Sequence, residues 1–348
     1  MQNIRLGLIG CGGMMNVHAK GVEDCTDEMK ITCVCDVVYE RAKKVADALG
    51  TDPLIFADWR DMVDHVDAVL IALPHDLHYE CGLFFARQKK HVLMEKPLCN
   101  SEEECLSLIE ACEEEGVVLM CAYPVRYWPG IVKLKELIDS GEYGKAFMMS
   151  IWTEQLTKHE DYHWGNTARL GGGQLFSHGC HYIDLLLWFF GQPVSGSHMG
   201  TKLGTEWMMR EGTSAVTMKF ANGAVAYHGA TWGARGTRMS YDFQVHTEKG
   251  LLDYDHHAGT LTFYSKDLEH VPGQIPLSAR EVLWDQGTGE KHTANEINHF
   301  VDCVLNNKKP MTSGRTALES LRVIWKLYDA EKNNTVADLR DIDPTPYL

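Results

Sequence analysis

Basic residues are scarce in this chain: 33 Lys and Arg stand against 48 Asp and Glu, a formal charge of −15 at pH 7. Phosphate backbones and anionic membranes are bound by clustered Lys and Arg, so neither nucleic acid nor a lipid surface is an expected partner. No apolar run reaches the length of a membrane span. The first residues lack the basic region, apolar core and small-residue cleavage site of a leader, and a cytoplasmic location is the expectation. None of the eleven cysteines forms a Cys-x-x-Cys pair. A metal site is therefore not expected. Cys33, Cys35, Cys121 and Cys180 lie inside apolar stretches, as reduced core thiols do.

What is present is ordinary globular material, 45% hydrophobic over 348 residues, a length that favours two domains over one. The apolar run Ile4–Ile9 meets Gly10-Cys11-Gly12-Gly13-Met14-Met15 and then helix-compatible sequence. Strand, glycine turn and helix are the setting of a dinucleotide fingerprint. Gly10 permits the tight turn, and Gly12 lets the backbone approach a pyrophosphate at the helix N-terminus. Met15 occupies the usual third-glycine position, a departure that bears on helix-to-strand packing. A second strand, Lys30 to Cys35, ends at Asp36. A carboxylate there accepts hydrogen bonds from the ribose hydroxyls and repels a 2′-phosphate, so the expected cofactor is NAD rather than NADP. Arg41 either lies over the adenine or opens the next helix at the surface.

The alternation continues with a strand at 67–73 (Leu73, then Pro74), a helix at 76–87 with His78 in its first turn, and a strand from His91 to Met94. That strand delivers Glu95 and Lys96 to its carboxyl end, where Pro97 stops it. Ligands collect at the carboxyl ends of strands in open parallel sheets. Ser101 to Glu115 reads as a helix with Ser101 as N-cap and Glu104 in a capping box, and 117–121 as a further strand. The expected first domain, residues 1–122, is a doubly wound parallel Rossmann sheet.

Residues 123–348 change grammar. Period-two runs near 195–202, 214–220, 225–231, 240–246 and 261–265 predict an open, mainly antiparallel sheet in an α+β domain, with one face suited to oligomerisation. Gly171-Gly172-Gly173 leads into an apolar helix carrying Ser177, His178, His181 and Asp184. At about 100° per residue, Ser177, His181 and Asp184 share one stripe and His178 falls off it. A buried His and Asp are either satisfied core groups or used in chemistry. The segment from Glu154 to Arg169, with His159, Asp161, His163 and Trp164, has the aromatic and polar mix of a sugar site. Two C-terminal helices, about 292–332, are candidates to pack back on the first domain.

These motifs together resemble the Gfo/Idh/MocA family of glucose–fructose oxidoreductase and inositol dehydrogenase relatives. The likeness is carried by Gly10-Cys11-Gly12-Gly13, Glu95-Lys96-Pro97, and Gly171-Gly172-Gly173 leading to Gly179-x-His181-x-x-Asp184, and it spans nearly the whole chain. The resemblance implies an NAD-binding Rossmann domain, a substrate and oligomerisation domain, and hydride transfer on a hydroxyl of a sugar, cyclic polyol or glycoside, with a 3-keto sugar among the products. It implies Lys96 and His181 as catalytic groups, with Ser177 standing where the family carries an aspartate. Asp184 is the candidate to orient the imidazole. Expected cofactor residues are Gly10, Gly12, Gly13, Met14, Met15, Asp36, Arg41, Leu73, Pro74, His78, Glu95, Lys96 and Arg126. Expected substrate residues are Lys96, His163, Trp164, Arg169, Ser177, His178 and His181. Two alternatives stay open: an NAD-dependent glycosidase or lyase acting through transient C3 oxidation, and a nucleotide-binding sensor without chemistry.

Overall fold

The computed structural model describes residues 3–157, 167–266, 278–287 and 293–347. The chain forms two compact units: residues 1–127, 169–171 and 291–321 in one, and 128–168, 172–290 and 322–348 in the other.

The first unit holds six strands, β1 (Ile4–Ile9), β2 (Met29–Cys35), β3 (Leu54–Phe56), β4 (Ala68–Ile71), β5 (His91–Glu95) and β6 (Leu119–Ala122). All neighbours pair in parallel in the order β3-β2-β1-β4-β5-β6. That order reverses between β1 and β4, which is where doubly wound sheets bind their ligands. Both faces are covered, so β4 and β6 are buried at every position, as the uninterrupted apolar runs foretell. The helices are α1 (Gly13–Gly21), α2 (Tyr39–Leu49), α3 (His78–Arg87) and α4 (Glu102–Glu115). The Ser101 hydroxyl caps α4 by accepting from Glu104 N–H at 3.2 Å, three glutamates fill the first turn, and Gly116 closes the helix at φ 67°. The return half of the expected box is displaced by one residue, since Glu104 Oε2 accepts from Asn100 N–H at 3.1 Å.

In the second unit α5 (Pro129–Asp139) precedes β7 (Ala146–Glu154), and α6 (Cys180–Phe190) carries the histidine motif. Eight more strands follow: β8 (Pro193–Thr201), β9 (Thr213–Phe220), β10 (Val225–Thr231), β11 (Tyr241–Thr247), β12 (Gly250–Asp255), β13 (Thr260–Lys266), β14 (Ser278–Asp285) and the short β15 (Ala337–Asp338). They form one nine-stranded sheet in the order β14-β13-β12-β11-β7-β10-β9-β8-β15. The sheet is antiparallel except for β7 and β10, which run parallel with Ile151 opposite His228. The inner face carries Met149, Ile151 and Phe243 into the core, and Tyr182 of α6 stacks on His228 at 4.8 Å.

Helix α7 (Ala294–Asn306) belongs to the first unit, where Ile297, Phe300 and Val301 join Leu6, Leu8, Leu70 and Leu93 in its core. Each such side chain contributes about 1.5–3 kcal/mol by leaving water. Helix α8 (Gly314–Lys332) follows. All eleven cysteines are free and ten are buried. Among the described residues no helix is long and apolar enough to cross a membrane.

Candidate active site

The glycine turn is built as its composition requires. Gly10 has φ 84°, and a Cβ there would lie 2.5 Å from the Ala72 carbonyl oxygen, so only glycine lets β1 pass this close to the end of β4. A Cβ on Gly12 or Gly13 would meet nothing within 4 Å, and no side chain caps the start of α1. Open space before an uncapped helix N-terminus suits a pyrophosphate. Met15 is fully buried in the core beneath the turn, while Met14 is half-buried. Asp36 ties the turn to β2: Oδ2 accepts from Cys11 N–H and Oδ1 from Val38 N–H, each at 2.8 Å. Arg41 is exposed, as are Val37, Val38 and Tyr39 directly after the carboxylate.

Two loops at the strand ends are fixed by imidazoles. His78 is fully buried, with Nδ1 2.8 Å from Pro97 O and Nε2 2.9 Å from Leu73 O. Burial pushes its pKa down and the two carbonyls work to raise it; a neutral ring, with one proton, donates to only one of the two. Its nitrogens thus act on the main chain beside Leu73, and Pro74 is left exposed. His75, pushed down to about 3 by burial with the charges of His78 and Lys96 adding, sits 2.9 Å from Leu170 O. Arg169 pairs with Asp76 at 2.6 Å. Arg126 is buried and donates to Met311 O at 3.0 Å.

Glu95 is 5% exposed, with Oε1 2.7 Å from Nε2 of the fully buried His18 and Oε2 accepting from Lys96 N–H at 3.2 Å. Burial alone would raise this carboxyl; the hydrogen bond and charge of His18, with Lys96 adding, hold it below the usual range. Lys96 itself is half-buried at the end of β5.

In the second unit the histidine segment departs from the regular helix expected. Leu175–Gly179 is a π-turn, followed by α6. The rings of His178 and His181, three residues apart across the end of the turn, lie 5.7 Å apart, edge to face. Tyr182 at 5.3 Å and Trp232 and Tyr241 at 6.1 Å surround His178, and Tyr241 Oη donates to Gln155 Oε1 at 3.0 Å. Ser177, His181 and Asp184 are all buried, and Asp184 accepts from Tyr347 Oη at 3.0 Å. His159, Asp161, His163 and Trp164 lie outside the described residues.

Residues 4–123 match the family profile described as an oxidoreductase family with an NAD-binding Rossmann fold, and residues 131–253 match the GFO/IDH/MocA C-terminal domain. The chain belongs to the Gfo/Idh/MocA family. It is an NAD-binding oxidoreductase. It is 26% identical over 330 residues to the scyllo-inositol 2-dehydrogenase (NAD(+)) of Bacillus subtilis, covering 92% of both chains. With the 2,7-anhydro-N-acetylneuraminate hydratase of Escherichia coli it shares 28% over 270 residues, 72% of this chain and 68% of the relative. Its fold matches levoglucosan dehydrogenase solved with NADH and L-sorbose, at a TM-score of 0.85 and 21% identity, covering 97% of this chain and 99% of that one.

Two residues of this Gfo/Idh/MocA chain escaped the sequence reading. His18 lies three residues after Met15, on the buried side of α1 with Ala19, and that helical spacing was the available signal. Glu296, in the first turn of α7, is fully buried, and neither carboxyl oxygen has a hydrogen-bond partner among the described residues. Burial raises its pKa well above 4.5 and the charge of Glu95 adds to this, so the folded chain keeps Glu296 protonated. The neutral acid's contribution is therefore whole below about pH 4.5 and is lost as the pH climbs toward the raised value, at about 1.4 kcal/mol per pH unit. Glu296→Gln mimics the neutral acid and should melt higher than the parent at pH 8 but alike at pH 4. Equal melting temperatures at both pH values would remove the buried proton.

Proposed function

We propose that this oxidoreductase oxidises a secondary alcohol of a sugar, cyclic polyol or glycoside, with a 3-keto sugar among its products. The observation that carries this reading is the pair of imidazoles, His178 and His181, held beside Tyr182, Trp232 and Tyr241. Aromatic faces receive the CH face of a sugar ring, and polar groups such as Gln155 and Ser177 count its hydroxyls. Relatives named as inositol dehydrogenases support the substrate class.

When bound, NAD⁺ supplies the hydride acceptor. Gly10, Gly12 and Gly13 would admit the pyrophosphate, Asp36 the ribose, and Val37, Val38, Tyr39 and Arg41 the adenine face. Leu73, Pro74 and Glu95 would line the nicotinamide end. His181 takes the hydroxyl proton as general base, and Lys96 donates a hydrogen bond to the developing alkoxide. Asp184, steadied by Tyr347, favours the imidazolium that results. His178 and Ser177 bind neighbouring hydroxyls, with Ser177 removing one carboxylate from the usual family relay.

The test is a panel of inositols, sugars and glycosides with NAD⁺, followed by absorbance of the reduced nicotinamide. Accumulating NADH with at least one polyol is expected, and silence across the panel would remove the dehydrogenase reading. The similarity to a hydratase supports one second reading, in which oxidation is transient and substrate is consumed without NADH accumulating.

The outer face of the second sheet, where Trp152 packs on Tyr227 at 5.0 Å beside exposed Val225, is the surface we assign to a homo-oligomer. Trp152→Asp should reduce the sedimenting mass to that of one chain; a parent already monomeric would end this assignment.

A further inference from the structure

The first four N–H groups of any helix lack intrahelical partners. Ahead of the π-turn the local sequence is Gly171-Gly172-Gly173-Gln174, and no side chain there caps the helix. The four groups are met instead by two residues remote in sequence. Gly173 and Phe176 N–H donate to Tyr328 Oη at 3.3 and 3.2 Å, Gln174 N–H to Glu211 O at 2.7 Å, and Leu175 N–H to Glu211 Oε1 at 3.4 Å. Tyr328 Oη in turn donates to Glu211 Oε1 at 2.5 Å. The first intrahelical bond follows at once, from Ser177 N–H to Gly173 O at 2.9 Å.

The fit leaves no slack. A Cβ on Gly173 would lie 2.2 Å from the Glu211 carboxyl carbon, so the acid rests directly on the backbone. A carboxylate at this end of a helix is favoured by the macrodipole. Burial raises the Glu211 pKa, while the Tyr328 hydrogen bond works to lower it. One turn beyond Tyr328 on α8, Glu331 accepts from Gly200 N–H at 2.7 Å and lies 2.8 Å from His198 Nδ1 on β8. Tyr328 is thereby held from behind.

We propose that Glu211 and Tyr328 form a remote cap that sets the start of the π-turn and so the placement of His178 and His181, making both positioning residues of the dehydrogenase site. The inference rests on the functional reading of those histidines. Nine of the eleven residues of α6 are buried, so core packing retains the helix when the cap is lost. What moves is the turn that spaces the two rings, and a 1 Å misplacement can cost about 100-fold in rate.

The experiment compares Tyr328→Phe, Glu211→Leu and Glu211→Gln with the parent, in the full chain loaded with NAD⁺. Tyr328→Phe and Glu211→Leu should speed amide exchange across residues 173–181 and shift the ¹⁵N resonances of the His178 and His181 rings. Glu211→Gln keeps an acceptor oxygen and should restore both. With a polyol that the parent oxidises, the first two variants should lose 10- to 100-fold in kcat, with NAD⁺ affinity unchanged and the Gln variant close to the parent. Unchanged exchange and ring shifts in Tyr328→Phe would overturn the cap, and altered exchange with parental kcat would overturn the positioning role. A parent that oxidises no polyol counts against the site reading, and the cap is then decided by exchange and ring shifts.

Discussion

Lys96→Ala is expected to lose about 10²–10⁴-fold in kcat while binding NAD⁺ within about threefold of the parent. The separation of the two effects follows from the way β5 ends. Glu95 is anchored by His18 and by Lys96 N–H, and neither contact uses the lysine side chain. The loop beyond rests on the buried His78 ring, which lies within 2.9 Å of Pro97 O and Leu73 O, and the glycine turn is tied by Asp36 to β2. Removing the ammonium therefore leaves that backbone where it was and deletes the hydrogen-bond donor we propose for the reacting oxygen. Fluorescence titration with NAD⁺ and single-turnover rates measure the two quantities apart. Combining Lys96→Ala with His181→Asn should, on the proposed roles, cost little more than the worse single change, because groups acting on one chemical step are not additive. Parental turnover in Lys96→Ala, or full additivity of the pair, would falsify the shared role.

Asp36→Asn carries the second large effect. The carboxylate has two tasks in the fold, accepting from Cys11 and from Val38 N–H. Asparagine offers one acceptor oxygen where aspartate offers two, and an amide nitrogen cannot receive either N–H. The turn is then held on one side only, and the charge that disfavours a 2′-phosphate is gone. NAD⁺ affinity should fall about 10- to 100-fold, and the preference for NAD⁺ over NADP⁺ should shrink by a similar factor. Titration with both nucleotides reads this directly. An unchanged preference would place the discrimination elsewhere, with the exposed Arg41 as the next residue to alter.

The first sheet was readable because strands buried on both faces are continuous apolar runs; β1 stops at Gly10, β5 at Glu95, and Pro74 and Pro124 follow β4 and β6 within three residues. In the second sheet, alternation marked β8 to β11 and β13 but not β12 or β14. On β12 only Leu252 and Tyr254 face the core, and Asp253 and Asp255 on the other face disguise the strand as a turn. The parallel pairing of β7 with β10 has no local signature, since it joins segments about 75 residues apart. The same holds for the site. Gly10, Asp36 and Glu95 stand in motifs that need a fixed local geometry, whereas His18 and Glu296 acquire meaning only from partners far along the chain. The π-turn is a case of the same kind: nothing in Leu175–Gly179 forbids a regular helix, and the widened turn is met by acceptors at positions 211 and 328.

The interleaving of the two units sets an order of events during synthesis. Helix α7 supplies core side chains to the N-terminal sheet, so that sheet cannot complete its hydrophobic interior until the ribosome has passed residue 306. Tyr328 arrives later still, and Tyr347, which holds Asp184, later again. Nascent chains of this protein therefore carry an unfinished nucleotide fold until α7 has emerged and an uncapped histidine turn until Tyr328 has followed it.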